Sequence, residues 1–374
     1  MIHRTIQSQI ENRLQPGKVL ILYGPRRVGK TVLMKQIVDN YQGTKQLLNG
    51  EDYDVQALLA ERSAANYKRI FDHTDILAID EAQHIPDIGA KLKLIVDELP
   101  HLTVFVTGSS SFDLQNQTGE PLVGRANRFV LMPFSHQEIQ QKENPIEIRQ
   151  NLESRLIYGS YPEVVLESDH QKNTEYLRDL IDAYLLKDIL AIDGIKNASK
   201  MRELLQLIAF QTGSEVSYDE LATKLSISKN TVQKYLDLLS KVFIIYRLGG
   251  FSRNLRKEVA KAGKWYFYDN GIRNALIGRL NPLSLRDDAG ILWENYIISE
   301  KLKQNLHQRQ NNTYYFWKTY DRQEIDLIEE NENELNAFEI KWGNKTPKVP
   351  VAFAKAYPNA TFQIINKDNY TDFV

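Results

Sequence analysis

A short apolar run, Val19-Leu20-Ile21-Leu22-Tyr23, leads directly into Gly24-Pro25-Arg26-Arg27-Val28-Gly29-Lys30-Thr31. The length of the run and its β-favouring residues suit a buried strand of a parallel sheet. Thr31–Asn40 then carries apolar Val32, Leu33, Ile37 and Val38 at helical spacing. A glycine loop between strand and helix fits the pattern G-x-x-x-x-G-K-[ST] in the context that gives the pattern meaning. The glycines let the backbone curl until successive amides face a phosphate, and the helix N-terminus adds the positive end of its dipole. Lys30 is then placed for the β- and γ-phosphates of a nucleotide, and Thr31 for Mg²⁺. Gly24, Pro25, Arg26, Arg27, Val28, Gly29, Lys30, Thr31 and the adjoining Val32 form the expected nucleotide-binding set.

A phosphate loop that supports hydrolysis needs a metal-binding carboxylate at the end of a neighbouring strand. Asp80-Glu81 follows the apolar run Ile76–Ile79 and supplies it. Asp80 is expected on Mg²⁺, and Glu81 is expected to orient or deprotonate the attacking water. A helix over Ile88–Leu99 stops at Pro100, and Leu102–Thr107 reads as the next strand. It ends in Gly108-Ser109-Ser110-Ser111, where Ser109 can touch the γ-phosphate or the water; the plainer alternative is a serine-rich turn. Phe129–Met132 reads as a further strand. Strands alternating with helices predict a three-layer α/β domain with a parallel sheet, reaching to about residue 140.

These residues resemble the P-loop ATPases of the AAA+ class. The wider pattern of GPRRVGKT, LAIDEAQHIPD, VTGSSSFDL, GRANRFVLMPFSHQEI and YGSYPEVV is similar to one prokaryotic family, in which an AAA-type ATPase domain precedes a C-terminal domain of unknown function. The resemblance implies ATP and Mg²⁺ as ligands, a Walker A motif at Gly24–Thr31, a Walker B motif at Asp80-Glu81 and a sensor near Ser109. In such ATPases an arginine in the region of Arg125 and Arg128 can stabilise the transferring phosphate, sometimes from a neighbouring subunit. The commoner fate of such a residue is a surface arginine paired with a carboxylate.

Beyond residue 145 the character changes. Residues 146–198 form a helical linker in which Leu177, Leu180, Ile181, Tyr184, Leu185 and Ile189 recur at helical spacing. Residues 199–280 predict a winged helix. Tyr218–Leu225 and Lys229–Lys241 have the spacing of a helix-turn-helix, with a capping box at Ser217–Glu220 and Ser228 capping the second helix. Val232, Leu236 and Leu239 face a core, and Lys229, Asn230, Gln233 and Lys234 face outward. Val242–Tyr246 and Trp265–Tyr268 read as the hairpin of the wing. Arg247, Arg253, Arg256, Lys257, Lys261 and Lys264 stand there against the single acid Glu258. Such a patch fits the phosphates of double-stranded DNA. The alternative is a winged helix that contacts protein.

Residues 281–374 begin with a helix over Asp288–Gln304 and continue with strands at Tyr314–Trp317, Glu324–Ile328 and Ala337–Trp342. Alternation puts Glu339 and Lys341 on one face, and a hairpin would bring Asp326 beside them. Carboxylates so placed can hold Mg²⁺ through oxygen, with Glu294 of the helix as a further ligand and Lys341 orienting water. The ordered set Glu294, Asp326, Glu339 and Lys341 resembles the PD-(D/E)xK nuclease-like fold. Trp342, next to the lysine, is read as core packing, with base stacking as the alternative.

Composition narrows the remaining classes. The chain has 374 residues, 42% hydrophobic and 25% charged, enough for several cores. Its 47 basic and 48 acidic side chains give a net charge of −1, so any nucleic-acid surface must be local. It has no cysteine, which excludes disulfides, thiolate zinc sites and a cysteine nucleophile, and its seven histidines are scattered. No run suits a membrane span or a signal peptide, so a cytoplasmic protein is expected. The expectation is an α/β chain of four parts: an ATPase domain over 1–145, a linker over 146–198, a winged helix over 199–280 and a nuclease-like domain over 281–374. Its nucleotide state would control a C-terminal half acting on DNA, with oligomers open to it. The rival readings are an ATP-switched regulator that docks a protein partner, and an active ATP-dependent nuclease.

Overall fold

The computed structural model describes residues 2–108, 122–185, 197–252, 263–332, 334–343 and 345–374. The chain divides into two compact units, Met1–Phe134 and Ser135–Val374.

In the first unit α1 (Gln7–Glu11) precedes β1 (Val19–Tyr23), α2 (Lys30–Asn40) and β2 (Lys45–Asn49). Short helices α3 (Tyr53–Leu58) and α4 (Ala64–Phe71) follow, capped by the side chains of Asp52 and Ser63. Then come β3 (Ile76–Asp80), α5 (Ile88–Glu98), β4 (Thr103–Thr107) and β5 (Ala126–Val130). The strands form one parallel sheet in the order β2-β3-β4-β1-β5. β1 and β4 are buried along their whole length, as strands covered on both faces must be. Each predicted strand and helix of this unit is present within a few residues of its expected ends.

The second unit opens with α6 (His136–Ile139) and α7 (Pro145–Tyr158), both with complete capping boxes. α8 (Pro162–Leu166) and α9 (His170–Asp179) follow, and a π-helical turn, Leu180–Leu185, continues α9. Ile189 lies outside the described residues. α10 (Ala198–Phe210), α11 (Tyr218–Leu225) and α12 (Lys229–Lys241) precede the antiparallel pair β6 (Ile245–Gly250) and β7 (Lys264–Phe267). The remainder is α13 (Asn270–Leu276), α14 (Ala289–Gln308), the antiparallel strands β8 (Thr313–Lys318), β9 (Glu324–Asn331) and β10 (Glu334–Ile340), then α15 (Val351–Ala356) and β11 (Thr361–Ile365). One sheet, in the order β11-β10-β9-β8-β6-β7, contains all six strands. The hairpin read as a wing is thus an edge of the sheet that holds the C-terminal strands, joined where Gly249 and Gly250 pair with Tyr315 and Phe316.

Two local expectations change. Val242–Ile244 is not strand: α12 runs to Lys241, Phe243 turns through φ 61°, and extension begins only at Ile245. Ser217 does cap α11, but the Glu220 carboxylate pairs with Lys224 at 2.7 Å. Trp342 packs as expected, its ring 5.6 Å from that of Trp293 and capped by the Lys367 ammonium.

The second unit is knitted by buried polar contacts between segments far apart in sequence. Asp269 caps α13 by accepting from the Ile272 amide, and it also accepts from the Ser160 amide at 2.7 Å. Gly159 makes this possible: it has φ +79°, and a Cβ there would lie 2.0 Å from Asp269 Oδ1. Asn274 donates to the carbonyls of Leu156 and Ile157 at the end of α7. Among the described residues no helix is long and apolar enough to cross a membrane. Gly159→Ala combines backbone strain with a clash and should lower stability by about 3 kcal/mol or more. Gly278→Ala, with φ +68° and open space around it, should cost about 1 kcal/mol. Urea unfolding of the pair checks this, and equal losses would refute the steric account.

Candidate functional site

The parallel register sends the ends of β1, β3 and β4 to one edge of the first sheet. There β1 gives way to Gly24, whose φ is +148° and whose missing Cβ would lie 2.0 Å from the Leu131 carbonyl oxygen. Only glycine fits that crossing. Gly29, at φ +94°, starts α2 with nothing within 4 Å of a Cβ position, so the space above the loop is open. Arg27 adopts φ 63° between them. Lys30 is buried and folds back over the loop, donating to the carbonyls of Gly24 at 2.9 Å and Pro25 at 2.7 Å. Arg4 holds the loop from behind, donating to the Val28 and Met132 carbonyls with its guanidinium against the Phe134 ring. Val32 stands exposed in the first turn of α2 and not in the core with Leu33.

Thr31 donates its hydroxyl to Asp80 Oδ2 at 2.7 Å. On the other side Thr107, the last residue of β4, donates to Asp80 Oδ1 and accepts the Glu81 amide at 3.2 Å. Glu81 sits in the left-handed region at φ 49°, and Gln83 donates to its carboxylate at 2.5 Å. The structure therefore brings Lys30, Thr31, Asp80 and Glu81 to one edge. A hydroxyl and a carboxylate in hydrogen-bond contact present hard oxygens that suit Mg²⁺, which keeps its other positions for water and phosphate. Thr107 escaped sequence reading because a threonine in a strand is ordinary β material. Its only signal is that it is the last polar residue before the chain leaves the strand. Ser109 lies outside the described residues.

Arg125 requires correction as a group acting on the phosphate of its own chain. Its carbonyl accepts the Val19 amide at 2.9 Å, so it stands at the start of β1, not at the end that carries the loop. Five residues of strand, about 17 Å, separate the two edges. Its guanidinium pairs with Asp97 at 2.7 Å. Arg128 lies mid-strand opposite Ile21.

In the second unit Glu294 (α14), Asp326 (β9), Glu339 (β10) and Lys341 do converge. Lys341 Nζ lies 2.7 Å from Glu339 and 3.2 Å from Asp326, which also accepts the Ile340 amide at 2.8 Å. Burial, then the charge of Asp326, pushes Glu294 up to about 7, and the same causes raise Glu339. Tyr266 donates to Glu294 at 2.6 Å. The sequence places Lys264 in the basic patch of the hairpin. It points inward instead, buried, with its ammonium 2.5 Å from Glu324 and 3.9 Å from Glu294. Among the described residues no three histidines, aspartates or glutamates form a group that could hold a metal ion. Lys341 stands between Asp326 and Glu339, while Glu339 Oε2 is buried without a hydrogen-bond partner.

On α12, Lys229, Asn230, Gln233 and Lys234 are exposed and Val232, Leu236 and Leu239 are buried. Lys229 pairs with Asp219 at 2.7 Å. Arg253, Arg256, Lys257, Glu258 and Lys261 lie outside the described residues.

Residues 16–140 match a family described as an AAA domain. Residues 149–283 and 289–372 match two domains of unknown function, DUF8612 and DUF4143. An uncharacterised protein of Mycobacterium tuberculosis is 26% identical over 351 residues, spanning 92% of this chain and 75% of that one. Another, of Methanocaldococcus jannaschii, is 24% identical over 392 residues, spanning 97% and 84%. A Walker-type ATPase of Pyrococcus abyssi superposes with a TM-score of 0.52 at 18% identity, covering 74% of this chain and 96% of that one. The chain is an α/β protein with the P-loop NTPase fold. Thr107→Val removes both hydrogen bonds that fix Asp80 and Glu81 from β4. It should weaken Mg²⁺-dependent nucleotide affinity by about 10–100-fold. Titration with a fluorescent ATP analogue, with and without Mg²⁺, checks this, and an unchanged Mg²⁺ dependence would exclude the role.

Proposed function

We propose that the first unit binds and hydrolyses ATP with Mg²⁺, and that its nucleotide state governs a second unit acting on double-stranded DNA in the cytoplasm. The observation that carries the ATPase reading is the linked set Lys30, Thr31, Asp80, Thr107 and Glu81 on one sheet edge. Lys30 exchanges its two loop carbonyls for the β- and γ-phosphate oxygens, while the Gly24–Gly29 amides cradle the chain of phosphates. Thr31 and Asp80 would hold Mg²⁺, which supplies neutralisation of the developing phosphate charge. Glu81 orients the attacking water and takes its proton. Gln83 donates to Glu81 Oε2 and orients the carboxylate, whose other oxygen keeps its lone pairs for the water.

Arg125 faces away from its own phosphate loop, so any action on phosphate is directed at a neighbouring subunit of an oligomer. The DNA reading is supported by the exposed Lys229, Asn230, Gln233 and Lys234 at the start of the second helix of the pair, the end that reads base edges in such folds. A second reading, docking of a protein partner, is favoured by the Lys229–Asp219 pair, which already neutralises one of those cations.

Lys30→Ala should abolish tight ATP binding; unaltered affinity would remove the site assignment. Wild-type hydrolysis should rise on adding duplex DNA at low salt and lose that stimulation as salt increases, with Lys30→Ala as the blank. A rate indifferent to DNA would favour the protein partner. Arg125→Ala should lower hydrolysis only at concentrations where chains associate, leaving ATP affinity intact. A rate equal to wild type throughout would exclude the neighbouring-subunit role.

A further inference from the structure

The phosphate loop is not held by its own residues alone. Arg4 stands 24 residues before Val28 and belongs to no nucleotide-binding motif, yet it is buried and reaches the loop. Its backbone is pinned where α1 begins. The Gln7 amide donates to the Arg4 carbonyl at 3.0 Å, and Ile2, Ile6 and Ile10 are buried on either side of it in sequence. One guanidinium nitrogen, Nη2, donates to two carbonyls, that of Val28 at 2.5 Å and that of Met132 at 2.8 Å. The guanidinium carbon lies 4.4 Å from the centre of the Phe134 ring, a cation–π contact that limits how the fork can turn.

The Val28 contact has a geometric consequence. A trans peptide group is planar, and its C=O and N–H point in opposite directions. No described peptide bond is cis. The Val28 carbonyl is drawn toward Arg4, so the N–H of the same peptide group, that of Gly29, is turned away from Arg4. Gly29 is the N-cap of α2, and nothing lies within 4 Å of where its Cβ would be. Val28 is flanked by two residues in the left-handed region, Arg27 at φ 63° and Gly29 at φ +94°. In a non-glycine residue such a conformation persists where its surroundings determine it. Turns of this kind can gather successive amides into a concavity that takes anions.

We propose that Arg4 is a positioning residue for the nucleotide: by holding the Val28 carbonyl it aims the Gly29 amide at the phosphates before they arrive. The inference rests on the ATPase reading and deepens it. An amide already aimed needs no reordering when phosphate binds, so less of the contact is lost to organising the site. The guanidinium also sets a fixed positive charge behind an anion site. The loop is thereby braced at both ends from the segment after β5, at Gly24 by the Leu131 crossing and at Val28 through the Arg4 bond shared with Met132.

The test uses the full chain and compares wild type with Arg4→Met and Arg4→Lys. It reads steady-state ATP hydrolysis with Mg²⁺, ADP competition against a fluorescent ATP analogue, and thermal unfolding without nucleotide. Arg4→Met keeps an apolar stem and loses both bonds. Its KM for ATP and its Kd for ADP should each rise about 10–100-fold, the worth of one hydrogen bond to a charged group. Its kcat should change by less than about threefold, because the amide serves bound substrate and transition state alike. A purely structural role predicts the other split, a lower kcat at unchanged KM from loss of folded enzyme. Arg4→Lys keeps the cation on a stem one bond shorter and lacks the planar fork, so its KM should lie between those of wild type and Arg4→Met. It also serves if Arg4→Met does not fold. A folded variant of either kind with the wild-type KM, or with a loss confined to kcat, would overturn the proposal. A wild type that binds no nucleotide removes the ATPase reading and this inference with it. A wild type that hydrolyses ATP beside variants sharing its KM removes this inference alone.

Discussion

The parallel alignment of β3, β4 and β1 is the constraint on which the first unit depends. It brings the last residues of strands separated by tens of positions in sequence to a common edge, and there the Asp80 carboxylate receives two hydroxyls. Neither bond is possible if a strand slips by one residue, since alternate side chains leave by opposite faces. The hydrophobic burial of β1 and β4 and the chemistry of the edge are therefore one requirement. The same alignment sets a second edge at the strand starts, and Arg125 is consigned to it.

The second unit is held by a different device. Its helices and its mixed sheet meet through buried polar groups as well as apolar ones. Asp269 is a helix cap and an inter-segment contact at once, and Gly159 is the space that lets it be both. Buried polar groups cost stability unless partnered, so a network of this kind tolerates few arrangements of its backbone. The Gly-Ser-Tyr-Pro stretch singled out in the sequence as a mark of resemblance thus has a physical meaning in packing.

Legibility in the sequence followed burial symmetry. β1, β3 and β4 read clearly because strands covered on both faces become continuous apolar runs. β2 did not, because Lys45–Asn49 alternates exposed and half-buried positions at the sheet edge and mixes polar with apolar residues. The loop glycines, Lys30, Thr31 and Asp80 were legible since phosphate chemistry fixes both their types and their spacing. Thr107 was not, because its role comes from a neighbour 27 residues away across two strands. The far-edge position of Arg125 was implicit in its place before a parallel strand, yet the motif analogy obscured it.

Lys264 shows why charge runs mislead. In sequence it closes a basic stretch and reads as solvated, as most lysines are. Its strand carries it into the unit, where it meets carboxylates contributed by α14 and β9. Burial alone would strip its proton, and the facing charges of Glu294 and Glu324 outweigh that, so the ammonium persists and its affinity for protons is raised. A buried lysine in this state is a fixed cation supplied by the chain. The residue types of the cluster are those of a metal site, and the ammonium groups of Lys341 and Lys264 lie beside its carboxylates. Two sites with the same carboxylates differ in chemistry according to whether the positive charge can leave.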